Sequence, residues 1–298
     1  MVRRRVLQLS VVIGLVLTSI ILPSSGAVPH RLSASAVIGI QNLHQGFDRQ
    51  CAPLTSSMTD WWANSRYWYV GIYIGGKNRG SCSPQNLDAS WVSTVNGQGW
   101  SFLPTYVGLQ SQCVFQSGLA TFPNDTSTAY SDGQGAADSA INDGSNLGFS
   151  DSIVYYDLEG FDTTNSACLA AAKSFVDGWV KELQTKGWEA GLYGSACSSA
   201  MDAMFNINQT PNDGWLAAYD GNNTPWGVSC VPNSDWVQDH RIHQYHKDSS
   251  CETHGSTCMT VDRNCAIGET AKAWSFSVEP ADSNEGSGPT EDAGPCGS

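Results

Sequence analysis

The chain has 298 residues and a formal net charge of -13 at neutral pH, with 28 acidic side chains against 15 lysines and arginines. That sign speaks against nucleic acid as a partner, because phosphates would be repelled. Ten cysteines without a CxxC pair point to disulfides in an exported chain and away from a zinc site.

Residues 1–27 read as a secretory signal peptide: Arg3, Arg4 and Arg5 precede an apolar run over 11–22 and then small residues at Ser25, Gly26 and Ala27. The run is short of the about 20 residues a bilayer span needs. The expected product is therefore secreted and free of the membrane, with an uncleaved anchor as the alternative; the arginine run also fits twin-arginine export. Residues 274–298 are rich in Gly, Ser, Pro, Asp and Glu, with little to bury, and predict a disordered tail. The intervening 28–273 have the size of one eight-stranded α/β barrel, and neither a linker nor a fixed-period repeat divides them.

Taken in order, the first strand is expected to run to Asp48, with a helix over 53–64 after it. A second strand, VGIYIGG at 70–76, precedes a helix over 86–95. The third, SFLPTYVG at 101–108, is weakened by Pro104, which has no N–H for a ladder. A helix over 132–147 turns Ala136, Ala137, Ala140 and Ile141 toward a sheet. The fourth strand, IVYYDLEG at 153–160, ends in two acids. Side chains alternate along a strand, so Asp157 and Glu159 share a face roughly 6 to 7 Å apart while Leu158 points opposite. The helix over 167–186 repeats Phe175, Val176, Trp179, Val180 and Leu183 at helical intervals and stops at Gly187. Strand five spans 190–195, a short helix 196–205, and strand six 214–219. Beyond it the helical patterns thin, and IHQYH from 242 and MTVDRN from 259 read as strands joined by loops.

Five strand–helix units followed by three strands with few helices predict an α/β fold, a parallel sheet closed as a TIM-like (β/α) barrel, with a doubly wound sheet as competitor. GxGxxG, P-loop and GxSxG motifs are absent, so the sequence supports neither a nucleotide cofactor nor a serine-hydrolase elbow. No cofactor is expected, and the chain is read as a monomer. His240, His243, His246 and His254 crowd together in sequence, yet on a strand His243 and His246 point to opposite sides, so no metal site is expected. Cys251 is expected to bridge Cys258, Cys168 to bridge Cys197, and Cys296 either pairs or stays free. Asn124, Asn208 and Asn222 head N-x-[ST] acceptors, relevant only in a host that glycosylates secreted chains.

In such barrels chemistry sits where the strands end. That rule places Asp48, Asp157, Glu159 and Asp262 at the carboxyl ends of strands one, four and eight, around one mouth. Tyr106, Tyr193, Trp215, Tyr219 and Gln244 fall on the same rim, with Tyr155 one step deeper as a floor. Flat rings and amides of this kind suit the C–H faces and hydroxyls of sugars. For any one aromatic, core packing is the plainer explanation, and two acids can simply close a strand. Four converging carboxylates are harder to explain that way, because they repel one another unless a function or a partner holds them.

GFD at 46–48, YYDLE at 155–159, GWLAAY around Trp215, HQY at 243–245 and VDRN at 261–264 together resemble the family 25 glycoside hydrolases, the lysozyme-type muramidases. GFDRQCAP, YVGIYIGG and LPTYVGLQ are more closely similar to a family of secreted glycoside-hydrolase-like barrels catalogued as a domain of unknown function, over nearly all of 46–266. The resemblance implies a barrel whose last three strands lack regular helices. It implies Glu159 as general acid, Asp157 as its partner acid, Asp48 and Asp262 as supporting carboxylates, and a cell-wall polysaccharide of N-acetylated amino sugars, such as peptidoglycan, as substrate. Neighbouring carboxylates raise the pKa of one member of a pair, so Glu159 is expected to hold a proton and Asp157 to stay ionised. A 2-acetamido group could act as nucleophile with Asp157 orienting it. Fold does not entail activity; a non-catalytic glycan- or wall-binding module, or a plain secreted scaffold, would share this barrel.

Overall fold

The apolar runs become a ring of eight strands. A computed structural model describes residues 37–38, 43–271 and 296; the expected signal peptide over 1–27 and, apart from Cys296, the expected tail over 274–298 lie outside the described residues. The barrel strands are β1 (His44–Arg49), β2 (Tyr67–Gly75), β3 (Ser101–Tyr106), β4 (Ile153–Leu158), β5 (Glu189–Ser195), β6 (Asp213–Ala217), β7 (Arg241–Lys247) and β8 (Asp262–Ala266). Each neighbours the next, β8 returns to β1, and β3 joins β4 through Thr105↔Tyr155 and Tyr106↔Tyr156. The sheet is therefore a closed barrel, which removes the doubly wound alternative.

Helices follow the first five strands: α1 (Thr55–Asn64), α2 (Ala89–Gly97), α3 (Thr126–Asn146), α4 (Ser166–Thr185) and α5 (Met201–Phe205). α3 starts earlier than its apolar pattern suggests because the Asp125 carboxylate caps it, accepting from the Thr128 N–H at 2.8 Å. α3 and α4 then pack backbone to backbone. A Cβ on Gly133 would lie 2.1 Å from the Phe175 carbonyl oxygen, and one on Gly178 2.1 Å from that of Tyr130, so only glycine fits at either position. The long helix-free connection from β6 to β7 is held instead by buried Arg241, whose guanidinium donates to the carbonyls of Pro232, Asp235 and Val231.

Two expectations change. Six of the strand pairings are parallel, but β8 runs antiparallel to both β7 and β1, so the sheet is not uniformly parallel. Asp262 accordingly begins β8 instead of ending it, and reaches the mouth because the strand is reversed. The MTVDRN run is also broken: Thr257–Met259 pairs with Glu252–His254 in a separate hairpin. Pro104 sits in a barrel-internal strand. It falls between Phe102, which pairs with Ala271 in a short strand at 270–271, and Thr105, where pairing with β4 begins, so its missing donor breaks no ladder bond there.

All ten cysteines pair, as Cys51–Cys82, Cys113–Cys168, Cys197–Cys230, Cys251–Cys258 and Cys265–Cys296. The local Cys251–Cys258 bridge is as expected. Cys168 and Cys197 bond elsewhere, because the loops after β3 and β6 bring Cys113 and Cys230 to them. Cys296 bonds to Cys265 of β8 and so pairs where the sequence left it open.

Candidate active site

The site begins with strand parity. On β4, Tyr156 packs outward on Phe175 and Trp179 of α4, so Tyr155 and Asp157 face the barrel interior. Glu159 follows one residue beyond the strand, half-buried at the mouth. The backbone here is wired at almost every step. Buried Gln110 donates to the Asp157 carbonyl at 2.7 Å and accepts from the Glu159 N–H at 2.8 Å. The Ser199 hydroxyl donates to the Leu158 carbonyl at 2.8 Å.

Asp48, one residue before the end of β1, lies directly opposite Asp262 on β8. Its Oδ2 accepts from Gln244 Nε2 at 2.6 Å and from Asn264 Nδ2 at 2.7 Å. Those amides are themselves oriented: Gln244 Oε1 accepts from the Tyr193 hydroxyl at 2.8 Å, and Asn264 Oδ1 from Trp215 Nε1 at 2.8 Å. Trp215 fits only because residue 71 is glycine, where a Cβ would stand 2.9 Å from the indole and 2.5 Å from the Asp48 Cβ.

Electrostatics tie the four acids together. Burial, then the Asp262 charge, pushes the Asp48 carboxyl up to about 7, although the Asn264 and Gln244 amides oppose it. Asp157 is pushed well up, by burial first and then by Glu159 and Asp48, against a hydrogen bond from Tyr73. Its Oδ1 is buried without a hydrogen-bond partner. Burial also raises Glu159 and Asp262, and Lys247 pulls both down. Asp157 is the more deeply buried of the β4 pair, at 1% exposure. Burial therefore raises the Asp157 carboxyl further than that of Glu159.

The six expected sugar-binding residues separate. Tyr219 is open, at 54% exposure, beside Tyr193 and facing Asp262, Asp48 and Glu159. Tyr193 is partly exposed and edge-on to Trp215. Trp215 and Gln244 are buried, and both polar ends of the Gln244 amide are spent on neighbours, so Gln244 positions Asp48. Tyr106 does not reach the mouth. It shares the outward face with Tyr156 and stacks on Trp179 between barrel and helices. Tyr155 is no floor either: its hydroxyl donates to Asp213 Oδ2 at 3.1 Å and the Glu269 carbonyl at 2.7 Å, at the far end of the barrel. Tyr73, Gln110 and Asn264 enter the site without having been singled out.

At that far end Asp213, His240 and Glu269 form a group with the spacing of metal ligands. His240 Nδ1 lies 2.6 Å from Asp213 Oδ1, and the Glu269 N–H donates to Oδ2, so the aspartate is already saturated. The other histidines meet separate partners: His243 the carbonyls of Thr224 and Ala218, His246 Asp248, and His254 Glu252.

Among solved structures, an uncharacterized B. stearothermophilus protein matches with a TM-score of 0.50 at 17% identity, covering 75% of this chain and 95% of its own. The Mycobacterium tuberculosis Tat-secreted protein Rv2525c, in complex with L-tartrate, gives a TM-score of 0.46 at 12% identity over 75% and 94% of the two chains. GHIP, a glycosyl hydrolase 25 of Streptococcus pneumoniae, gives 0.47 at 14% identity over 74% and 86%. No curated protein matches the chain. The model of the Rv2525c-like, glycoside hydrolase-like domain matches residues 60–266, and the chain belongs to that family.

Proposed function

We propose that the protein is a secreted, monomeric glycosidase that cuts a cell-wall polysaccharide of N-acetylated amino sugars, such as peptidoglycan, with Glu159 as general acid and Asp157 as its partner. One observation carries this reading: the two acids at the end of β4 lie at a mouth shared with Asp48 and Asp262, and burial raises all four. Membership of a glycoside hydrolase-like family supports it, and five disulfides support export.

Glycoside cleavage needs a proton at the leaving oxygen and compensation for positive charge at the sugar carbon. The β4 pair holds one proton between two carboxyls, and in the free protein Asp157 is favoured. A sugar lying over Glu159 displaces its remaining water and raises its proton affinity. Glu159 then protonates the leaving oxygen, and Asp157, left as carboxylate, faces the developing charge or orients a 2-acetamido group. Water supplies hydroxide to the sugar carbon, and its proton returns to the pair.

The test is release of reducing ends from purified peptidoglycan. Glu159→Gln should abolish release, a loss of about a hundredfold or more, without weakening wall binding. A wild type that binds the wall yet releases nothing from about pH 4 to 8 is a binding module instead.

A further inference from the structure

Phe115 is 69% exposed, the most exposed of the large hydrophobic side chains among the described residues. A single exposed ring is ordinary; its setting is not. Its main chain is bound to the turn that carries the acids, with the Phe115 N–H donating to the Gly160 carbonyl at 3.0 Å. Val114 bridges to Phe161, and the Asp162 N–H donates to the Cys113 carbonyl at 3.0 Å. The Cys113–Cys168 disulfide pins the same segment to α4. At its base, the Asn78 side chain bonds both Ala120 N–H and carbonyl, and Gln110 reaches back to Asp157 and Glu159. A Cβ on Gly160 would lie 3.6 Å from the Phe115 ring, so the ring edge adjoins the residue next to Glu159.

We propose that Phe115 is a stacking platform for a sugar unit adjoining the scissile bond, and that the excursion between β3 and α3 is a built glycan subsite. The proposal rests on the glycosidase reading of the same mouth. A pyranose presents a face of C–H groups that packs on an aromatic ring, and polymer binding needs such contacts beyond the reacting residue. Exposed Gln116 and Ser117, next along the chain, supply polar groups for hydroxyl or acetamido substituents. A rigid ring loses little entropy when the sugar arrives. Tyr219, which faces Asp262, Asp48 and Glu159, is also open, at 54% exposure, so a glycan strand would have a second aromatic to meet near the acids.

The test measures binding of soluble, peptide-free peptidoglycan strands by calorimetry, in a Glu159→Gln background that prevents turnover. Phe115→Ala should weaken binding roughly tenfold, and Phe115→Trp should restore it. Melting temperatures should stay equal, since the ring is exposed. Unchanged affinity in Phe115→Ala overturns the platform and leaves the glycosidase reading standing if the otherwise wild-type protein releases reducing ends. Weakened affinity with no release from that protein supports the platform and overturns catalysis. A Glu159→Gln protein that binds no strands overturns the platform, and the glycosidase reading falls with it where the wild type releases no reducing ends.

Discussion

Two buried aspartates sit at opposite ends of the barrel, Asp213 at the start of β6 and Asp157 at the end of β4, with 0% and 1% of their surface exposed. Burial raises both carboxyls. Asp213 is nevertheless saturated, by His240 on one oxygen and by Tyr155 and the Glu269 N–H on the other. Asp157 keeps one oxygen without a partner and has a second acid, Glu159, as its neighbour. Buried polar atoms are normally paired, since an unpaired one costs about 1 to 3 kcal/mol. The difference separates an acid that closes the barrel's base from one held ready at its mouth.

Substitution is the direct way to break that contrast. Asp157→Asn should lower reducing-end release by about a hundredfold to ten-thousandfold while leaving stability equal or slightly higher, because the repulsion between two neighbouring carboxyls is relieved. Asp213→Ala should do the opposite. It strands the Glu269 N–H and takes the carboxylate from His240, while the Tyr155 hydroxyl keeps the Glu269 carbonyl, for a loss of about 1 to 3 kcal/mol in denaturant unfolding, with release per folded molecule retained. Equal destabilisation by the two variants would make Asp157 a structural acid.

The fold was legible where aliphatic runs are long, and the acids at strand ends were legible because Asp48 and Asp157 interrupt such runs. Direction was not: an alternating strand reads the same either way, so the reversal of β8 that turns Asp262 inward left no mark. Parity was also hidden in β3. Both its faces are buried, one in the barrel and one under the helices, and apolar residues serve either, which is why the sequence pattern points Tyr106 to the mouth. Tyr73 hides in VGIYIGG as one more β-forming aromatic. The pairing of Cys113 with Cys168 depends on a loop folding back over β4, a long-range fact that spacing does not carry.

A second test sharpens the contrast through pH. The Asp48 carboxyl is about 7 in the folded chain against an ordinary 3.8, so the folded state binds this proton more tightly than the unfolded one. Its contribution to stability is then fully present below about pH 4, falls as pH rises toward 7, and is flat above. At 1.36 kcal/mol per unit the loss is at most about 4 kcal/mol. Asp48→Asn keeps an oxygen for the Asn264 and Gln244 amides while removing the titration. Its melting temperature should fall less than that of wild type between about pH 4 and 7, and identical slopes would place that titration elsewhere.

The smallest effect expected is at Gln110, whose amide bonds backbone alone, weakly the Gly108 carbonyl at 3.4 Å and more closely two groups of the β4 turn. The two closer bonds fix the Asp157 carbonyl and the Glu159 N–H, and so the line along which both carboxyls leave the chain. Gln110→Met keeps the volume of this wholly buried side chain and removes both bonds, which should cost about 1 to 3 kcal/mol of stability. If the amide only supports the fold, release per folded molecule and its pH optimum will not move. If it positions the pair, kcat should drop about tenfold with KM little changed, because a small misplacement of a general acid is felt chiefly in the transition state. The pH profile should shift as well, since Asp157 and Glu159 would divide their proton differently. Gln110→Glu restores an acceptor for the Glu159 N–H but no donor for the Asp157 carbonyl, so its kcat should fall between wild type and Gln110→Met, and a value at or below Gln110→Met would count against the positioning role.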